Sequence, residues 1–187
     1  MDLKKRLLFG KTSRKRGQIW VETVIYTLIA FSLMGLVLAF VVPKIEETQD
    51  KGIIEQSIKV LQDIDSLIKN LGGPGNQRTP EVGISKGSLT IDAVQDKIFF
   101  ELESKYKYSE PGENVTIGKV IANTEERGSI NIITLTLNYT GTYDLRYTGG
   151  EEEVTLSRAP VPYQILISDE GTSAEGKPII NMEVIGE

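Results

Sequence analysis

The sequence predicts an α+β protein: a long N-terminal helix, apolar in its first half and amphipathic in its second, followed by an antiparallel β-sandwich or a curled β-sheet head. Two observations carry this. Residues 19–42 form an apolar run whose only charge is Glu22. Beyond Asn76 the apolar residues recur with a period of two, which is the spacing of strands and not of a helix. At 187 residues the chain is long enough for one domain with a core plus an anchoring segment, and short for two full domains.

The expected organisation is a basic leader over 1–17, a transmembrane helix over 18–43, an amphipathic extension over 44–72 packed on the head, and an extracellular β-rich head over 73–187. The leader is defined by charge. Lys4, Lys5, Arg6, Lys11, Arg14, Lys15 and Arg16 stand against the single acid Asp2. Residues 18–187 then hold 14 basic and 25 acidic side chains, a net −11. A head of that sign repels phosphate backbones, so nucleic acid is not an expected partner.

The apolar run of 24 residues covers roughly 36 Å as a helix, enough to cross a hydrocarbon core of about 30 Å. The basic flank places the leader in the cytoplasm and everything after Val42 outside. A secretory signal fits poorly, because its apolar core runs about 7–15 residues and ends in a small-x-small site. From Ile54 onward, Ile58, Leu61, Ile64, Leu67, Ile68 and Leu71 fall on one side of the helical wheel, with Ser57 and Asp65 as polar exceptions among them. Pro43 and Gly52 are the expected places for a bend. The run Gly72, Gly73, Pro74, Gly75, Asn76 is a strong stop.

In the head, the clearest strand patterns are Ile133, Leu135, Leu137, Tyr139; then Val161, Tyr163, Ile165, Ile167; then Ile180, Met182, Val184. Weaker candidates are 82–84, 88–91, 98–103, 115–122, 144–148 and 152–156. Turns are expected at Lys86-Gly87, Pro111-Gly112, Gly128, Gly149-Gly150 and Gly171.

No Cys or His is present. Disulfides, thiolate and imidazole catalysis, and the usual zinc and copper sites are therefore excluded, and no metal or cofactor is expected. The acidic triplet Glu151, Glu152, Glu153 lacks the spacing of a calcium loop and reads as a solvated turn. Asp63 and Asp65, two apart on a helix, point different ways and make a poor acid/base pair. An enzyme is not expected.

Four features coincide where leader meets apolar helix: the cluster Arg14-Lys15-Arg16, then Gly17, then Gln18 opening the apolar run, and Glu22 five positions beyond Gly17. Together they resemble the precursor of a type IV pilin. The segment QIWVE is similar to the start of archaeal pilins, in which a Gln-x-Ser-x-Glu pattern follows the processing site. This chain has Trp20 in place of that Ser, and Tyr26 where Leu is frequent.

The resemblance implies that a membrane-embedded prepilin peptidase cuts between Gly17 and Gln18 and leaves the helix in the lipid. An assembly platform and its ATPase would then build the helices into a homopolymeric surface filament for attachment. The precursor would sit in the cell membrane, with leader inside and head outside. The alternative is a single-pass surface adhesin or binding protein that never polymerises.

Glu22 fits the resemblance on physical grounds. A carboxylate near the centre of a membrane helix costs about 2.5–3.5 kcal/mol on insertion scales, so a compensating partner is expected. Cleavage creates one, an α-amino group of pKa about 7.7–8.0. Pairing within a chain and pairing between neighbours are both open; the second would set assembly register. The bland reading is that Glu22 snorkels to the interface. Gly35 and Ala39 form a small-xxx-small pair that would allow close helix approach, though chance produces such pairs too. Asn114-Val-Thr116 and Asn138-Tyr-Thr140 are N-glycosylation sequons, relevant only to an external head.

Overall fold

The computed structural model describes residues 14–186, with side chains from Trp20 onward. The first thirteen leader residues lie outside the described residues. The fold is α+β: one long helix followed by two β-sheets, a pilin-like architecture. The chain divides into two units, Met1–Ile45 and Glu46–Glu187.

A single helix, α1 (Arg14–Lys69), runs through the unit boundary and through Pro43. Pro43 removes one backbone donor from the ladder. Neither it nor Gly52 ends the helix. Serine and threonine in the apolar stretch turn their hydroxyls back onto the backbone: Thr27 Oγ1 donates to Thr23 O and Ser32 Oγ to Leu28 O, both at 2.8 Å. Such back-bonding leaves no bare donor where water is absent. The helix ends where its stop signal predicts. Gly72, with φ +91°, takes the left-handed conformation that glycine adopts without a Cβ penalty.

The second unit carries eleven described strands in two sheets. The first strands in the chain are β1 (Gln77–Arg78), β2 (Glu81–Val82), β3 (Ser88–Asp92), β4 (Lys97–Ser104), β5 (Asn114–Ile117) and β6 (Val120–Arg127). They are followed by β7 (Ile130–Asn138), β8 (Asp144–Tyr147), β9 (Glu153–Ser157), β10 (Tyr163–Thr172) and β11 (Pro178–Ile185). The six-stranded sheet has the order β5-β6-β7-β4-β3-β9 and is antiparallel throughout. The five-stranded sheet has the order β1-β10-β11-β8, with β2 also on β10. It is mixed, because β8 runs parallel to β11.

Three sequence expectations need correction. Residues 115–122 are two strands and not one: Ile117 pairs with Val120 around Gly118, whose φ is +66°. A positive φ at the first turn residue alone defines a type II′ hairpin, which suits the right-handed twist of the strands it joins. Gly171 does not separate strands. It sits inside β10 at a register shift between Asp169 and Thr172, and its N–H is held by Asp169 Oδ1 at 2.8 Å. This is a β-bulge. The purely antiparallel head fails only at β8, whose return to β11 is a long-range choice that local pattern does not record.

Gly87 shows why one expected turn must be glycine. A Cβ there would stand 2.2 Å from Glu101 O. The close passage of the turn over β4 leaves no room for a side chain.

The core is one cluster shared by helix and both sheets. Ile54, Ile58, Leu61, Ile64, Ile68 and Leu71 from α1 join Leu89, Phe100, Leu135 and Leu137 from the larger sheet and Ile165, Ile167, Ile180 and Met182 from the smaller. The predicted wheel is therefore the buried face, with Leu67 half-buried at its margin. The two polar exceptions are buried as well. Ser57 Oγ donates to Ile53 O at 2.9 Å, while Asp65 is met by Lys69 on the helix and by Tyr139 and Lys119 from the loops at the ends of the larger sheet's strands.

Candidate functional site

The apolar half of α1 is the first place to look for function, because its described apolar side chains are exposed. Of the twenty large apolar side chains exposed among the described residues, seventeen lie between Trp20 and Ile45. Only Val94, Val115 and Val161 are exposed in the head. Burying a large apolar side chain stabilises by about 1.5–3 kcal/mol. Half that amount over seventeen residues is about 13–26 kcal/mol, comparable to or above the whole net stability of a typical domain. This surface requires lipid or other protein. It is the one stretch among the described residues long and apolar enough to cross a membrane.

Glu22 is exposed on that surface, one turn from Tyr26. The Tyr26 hydroxyl donates to Glu22 Oε1 at 3.2 Å. Tyr26, a departure from the pilin pattern, thus gives the carboxylate a neutral partner at i+4, the spacing that brings helix side chains together. One neutral donor satisfies part of a carboxylate and does not compensate its charge, and among the described residues none forms an ion pair with Glu22. Gly17 and Gln18 fall within α1, and their side chains lie outside the described residues. Gly35 and Ala39 follow one turn apart on the same exposed segment. A Cβ added to Gly35 meets no atom within 4 Å. The isolated chain therefore has no steric need for glycine, which costs about 1 kcal/mol relative to alanine in a helix interior.

The helix extension is fastened to the head by two buried acids that sequence patterning left unassigned. Asp50 is 5% exposed. It accepts from Lys86 Nζ at 2.5 Å and from the Lys105 backbone N–H at 2.7 Å, while the Lys105 ammonium pairs with Glu46. Asp65 accepts from Lys69 Nζ at 2.5 Å and from the Tyr139 hydroxyl at 3.1 Å. Lys119 Nζ lies 3.8 Å from the same carboxylate and 4.6 Å from the Tyr139 ring centre. Burial, and then the Asp65 charge, push the Tyr139 phenol far above its ordinary pKa. It stays a neutral donor at any physiological pH. The signal for Asp65 was its place on the apolar stripe, since an acid there has to be paired.

The two sequons lie on the larger sheet. Asn114 opens its edge strand β5 and Asn138 ends β7, both exposed. Asn114 Oδ1 accepts from Asn123 Nδ2 at 3.0 Å, and Asn138 Oδ1 from the Thr140 N–H at 2.9 Å. The middle residue of the second sequon, Tyr139, is fully buried, so the exposed Asn138 is held at a fixed point of the fold. Glu151, Glu152 and Glu153 are all exposed. Asp63 is exposed where Asp65 is buried, as their helical offset predicts. No protein-family model, no curated protein and no solved structure matches this chain.

Proposed function

We propose that this protein is a structural subunit of an archaeal type IV pilus-like surface filament, made as a membrane-inserted precursor. Its role is mechanical and adhesive, not catalytic. The leader, residues 1–17, is removed by a prepilin peptidase acting between Gly17 and Gln18. An assembly platform and ATPase then move the apolar helix from lipid into a homopolymer, where helices form the filament core and heads its surface. The observation that carries this reading is the division of surface. Among the described residues, nearly all exposed large apolar side chains lie on the helix before Glu46, while the unit from Glu46 onward closes a core of its own.

Transfer from lipid to filament exchanges one apolar surrounding for another, so bulk hydrophobicity cannot drive it and packing and polar pairing must. Glu22 supplies the pairing. Its charge is met by the α-amino group of Gln18 on a neighbouring subunit, a head-to-tail contact that repeats along a filament. Gly35 and Ala39 let neighbouring helices approach closely. With the head outside the cell, Asn114 and Asn138 are open to N-glycosylation.

N-terminal sequencing of the cell-associated protein, together with electron microscopy of sheared surface material, tests the proposal. The expected mature chain begins at Gln18 and is found in filaments. A chain beginning at Met1 overturns the reading. A processed chain found only in the membrane fraction favours a single-pass surface binding protein.

A further inference from the structure

The strand register brings the two sequons to one surface. Asn114 pairs with Asn123, and Asn123 with Thr134, four residues before Asn138 on the same strand. Two strand spacings across and four residues along place the two asparagines about 16 Å apart. Between them, Thr136 stands opposite Ile121 on one side and Phe99 on the other. Ile121 and Phe99 are half-buried on this face. The whole forms a shallow depression of about 520 Å³, lined by both sequon asparagines together with Phe99, Ile121, Asn123 and Thr136. In each sequon Oδ1 is occupied by a hydrogen bond. Neither Nδ2, the atom that carries a sugar, donates to any described residue.

We propose that oligosaccharides carried by Asn114 and Asn138 converge on this depression and lie back over Phe99 and Ile121, so that carbohydrate covers the outer face of the six-stranded sheet. This rests on the reading that places the head outside the cell. The donor class is a lipid-phosphate-activated oligosaccharide. Its anomeric C1–O bond to phosphate breaks and the phosphate leaves with the electron pair. A C1–Nδ2 bond forms, and the displaced amide proton passes to the transferase's base.

The face suits a sugar. Phe99 and Ile121 offer an apolar floor to sugar C–H faces, while threonine hydroxyls and asparagine amides around them can meet sugar hydroxyls. Asn114 also stands on the sheet's edge strand, where a bulky polar chain blocks strand addition by another molecule.

The test uses full-length protein from the cells that make it. Glycopeptide mass spectrometry reads Asn114 and Asn138, and hydroxyl-radical footprinting reads Phe99 in wild type and in the double variant Asn114→Gln, Asn138→Gln. Tyr163, on the other sheet, reports that the fold is retained. The expected result is sugar on both asparagines, several-fold faster Phe99 oxidation in the double variant, and an unchanged Tyr163 rate. Sugar on both with no change at Phe99 overturns the convergence and leaves the modification standing. Sugar on one asparagine alone also overturns it. Sugar on neither overturns both the modification and this inference, whatever the filament assay gives. Equal protection of Phe99 in wild type and variant, seen only in filaments, assigns the face to a neighbouring subunit and overturns the proposal.

Discussion

Replacing Glu22 by alanine is expected to leave membrane insertion and leader removal intact while reducing surface filaments about tenfold or more. Insertion is insensitive because the change removes a cost: a carboxylate in the hydrocarbon is unfavourable by about 2.5–3.5 kcal/mol at the centre and by less near the ends. Assembly is sensitive because the same contact is made by every subunit. A tenfold change in each association step needs only about 1.4 kcal/mol, well within the value of a charge-assisted pair in a dry surrounding. The Tyr26 hydroxyl at 3.2 Å allows charge and hydrogen bonding to be told apart. Glu22→Gln keeps an acceptor for Tyr26 and removes the charge, and is expected to assemble as poorly as Glu22→Ala. Tyr26→Phe keeps the charge and is expected to assemble much better than either. Mobility of precursor and mature chain on gels, with filament yield by microscopy, checks all three. Normal filaments from Glu22→Gln would eliminate charge pairing as the register device.

Much of this molecule was legible because its two halves use different periods. The apolar stripe from Ile54 to Leu71 declares a helix with one buried face, and that face is the one in the core. Alternation in 133–139, 161–167 and 180–184 declares strands, and strands β7, β10 and β11 stand there, except that β10 begins at Tyr163 and leaves Val161 exposed before it. What local pattern could not supply was partnership. The parallel return of β8 beside β11 is a decision between segments more than thirty residues apart. Two-residue strands such as β1 carry too few positions to show any period. The hairpin at Gly118 was easy to miss because its arms are short, Val115 and Ile117 on one side and Val120 and Ala122 on the other, and a single three-residue step between Ile117 and Val120 is the one break in the alternation. At the site, residue identity was visible and geometry was not. Glu22 stood out as a lone charge, yet nothing in a one-dimensional reading turned Tyr26 toward it. Asn114 and Asn138 were visible as sequons, and only the strand register puts them on one face.

Asp65→Ala is expected to destabilise the head by about 1–3 kcal/mol, the usual cost of leaving a buried polar group without its partner. The loss comes from what is left behind. Tyr139 is fully buried, so its hydroxyl loses its acceptor with no water to replace it, and Lys119 loses the carboxylate 3.8 Å away. The Lys69 pair contributes little, since that side chain is 50% exposed and exposed ion pairs are worth about 0–1 kcal/mol. Lys69→Met should therefore be nearly neutral.

Urea unfolding of a fragment spanning 46–187, the unit with its own core, measures these differences. If the stranded hydroxyl is the cause, adding Tyr139→Phe to Asp65→Ala recovers part of the loss, with a coupling of about 1.5–3 kcal/mol for a hydrogen bond to a charged group. Strict additivity of the two changes would refute that account. The same phenol sets an alkaline limit. Its folded pKa is raised above the ordinary 10.0 by burial and by Asp65. Above about pH 10 the unfolded chain releases the Tyr139 proton while the folded chain retains it. Unfolding then releases a proton, and stability falls as pH rises. Tyr139→Phe should flatten that part of the profile, and the stability contributed by the neutral phenol should be fully present at every pH below it.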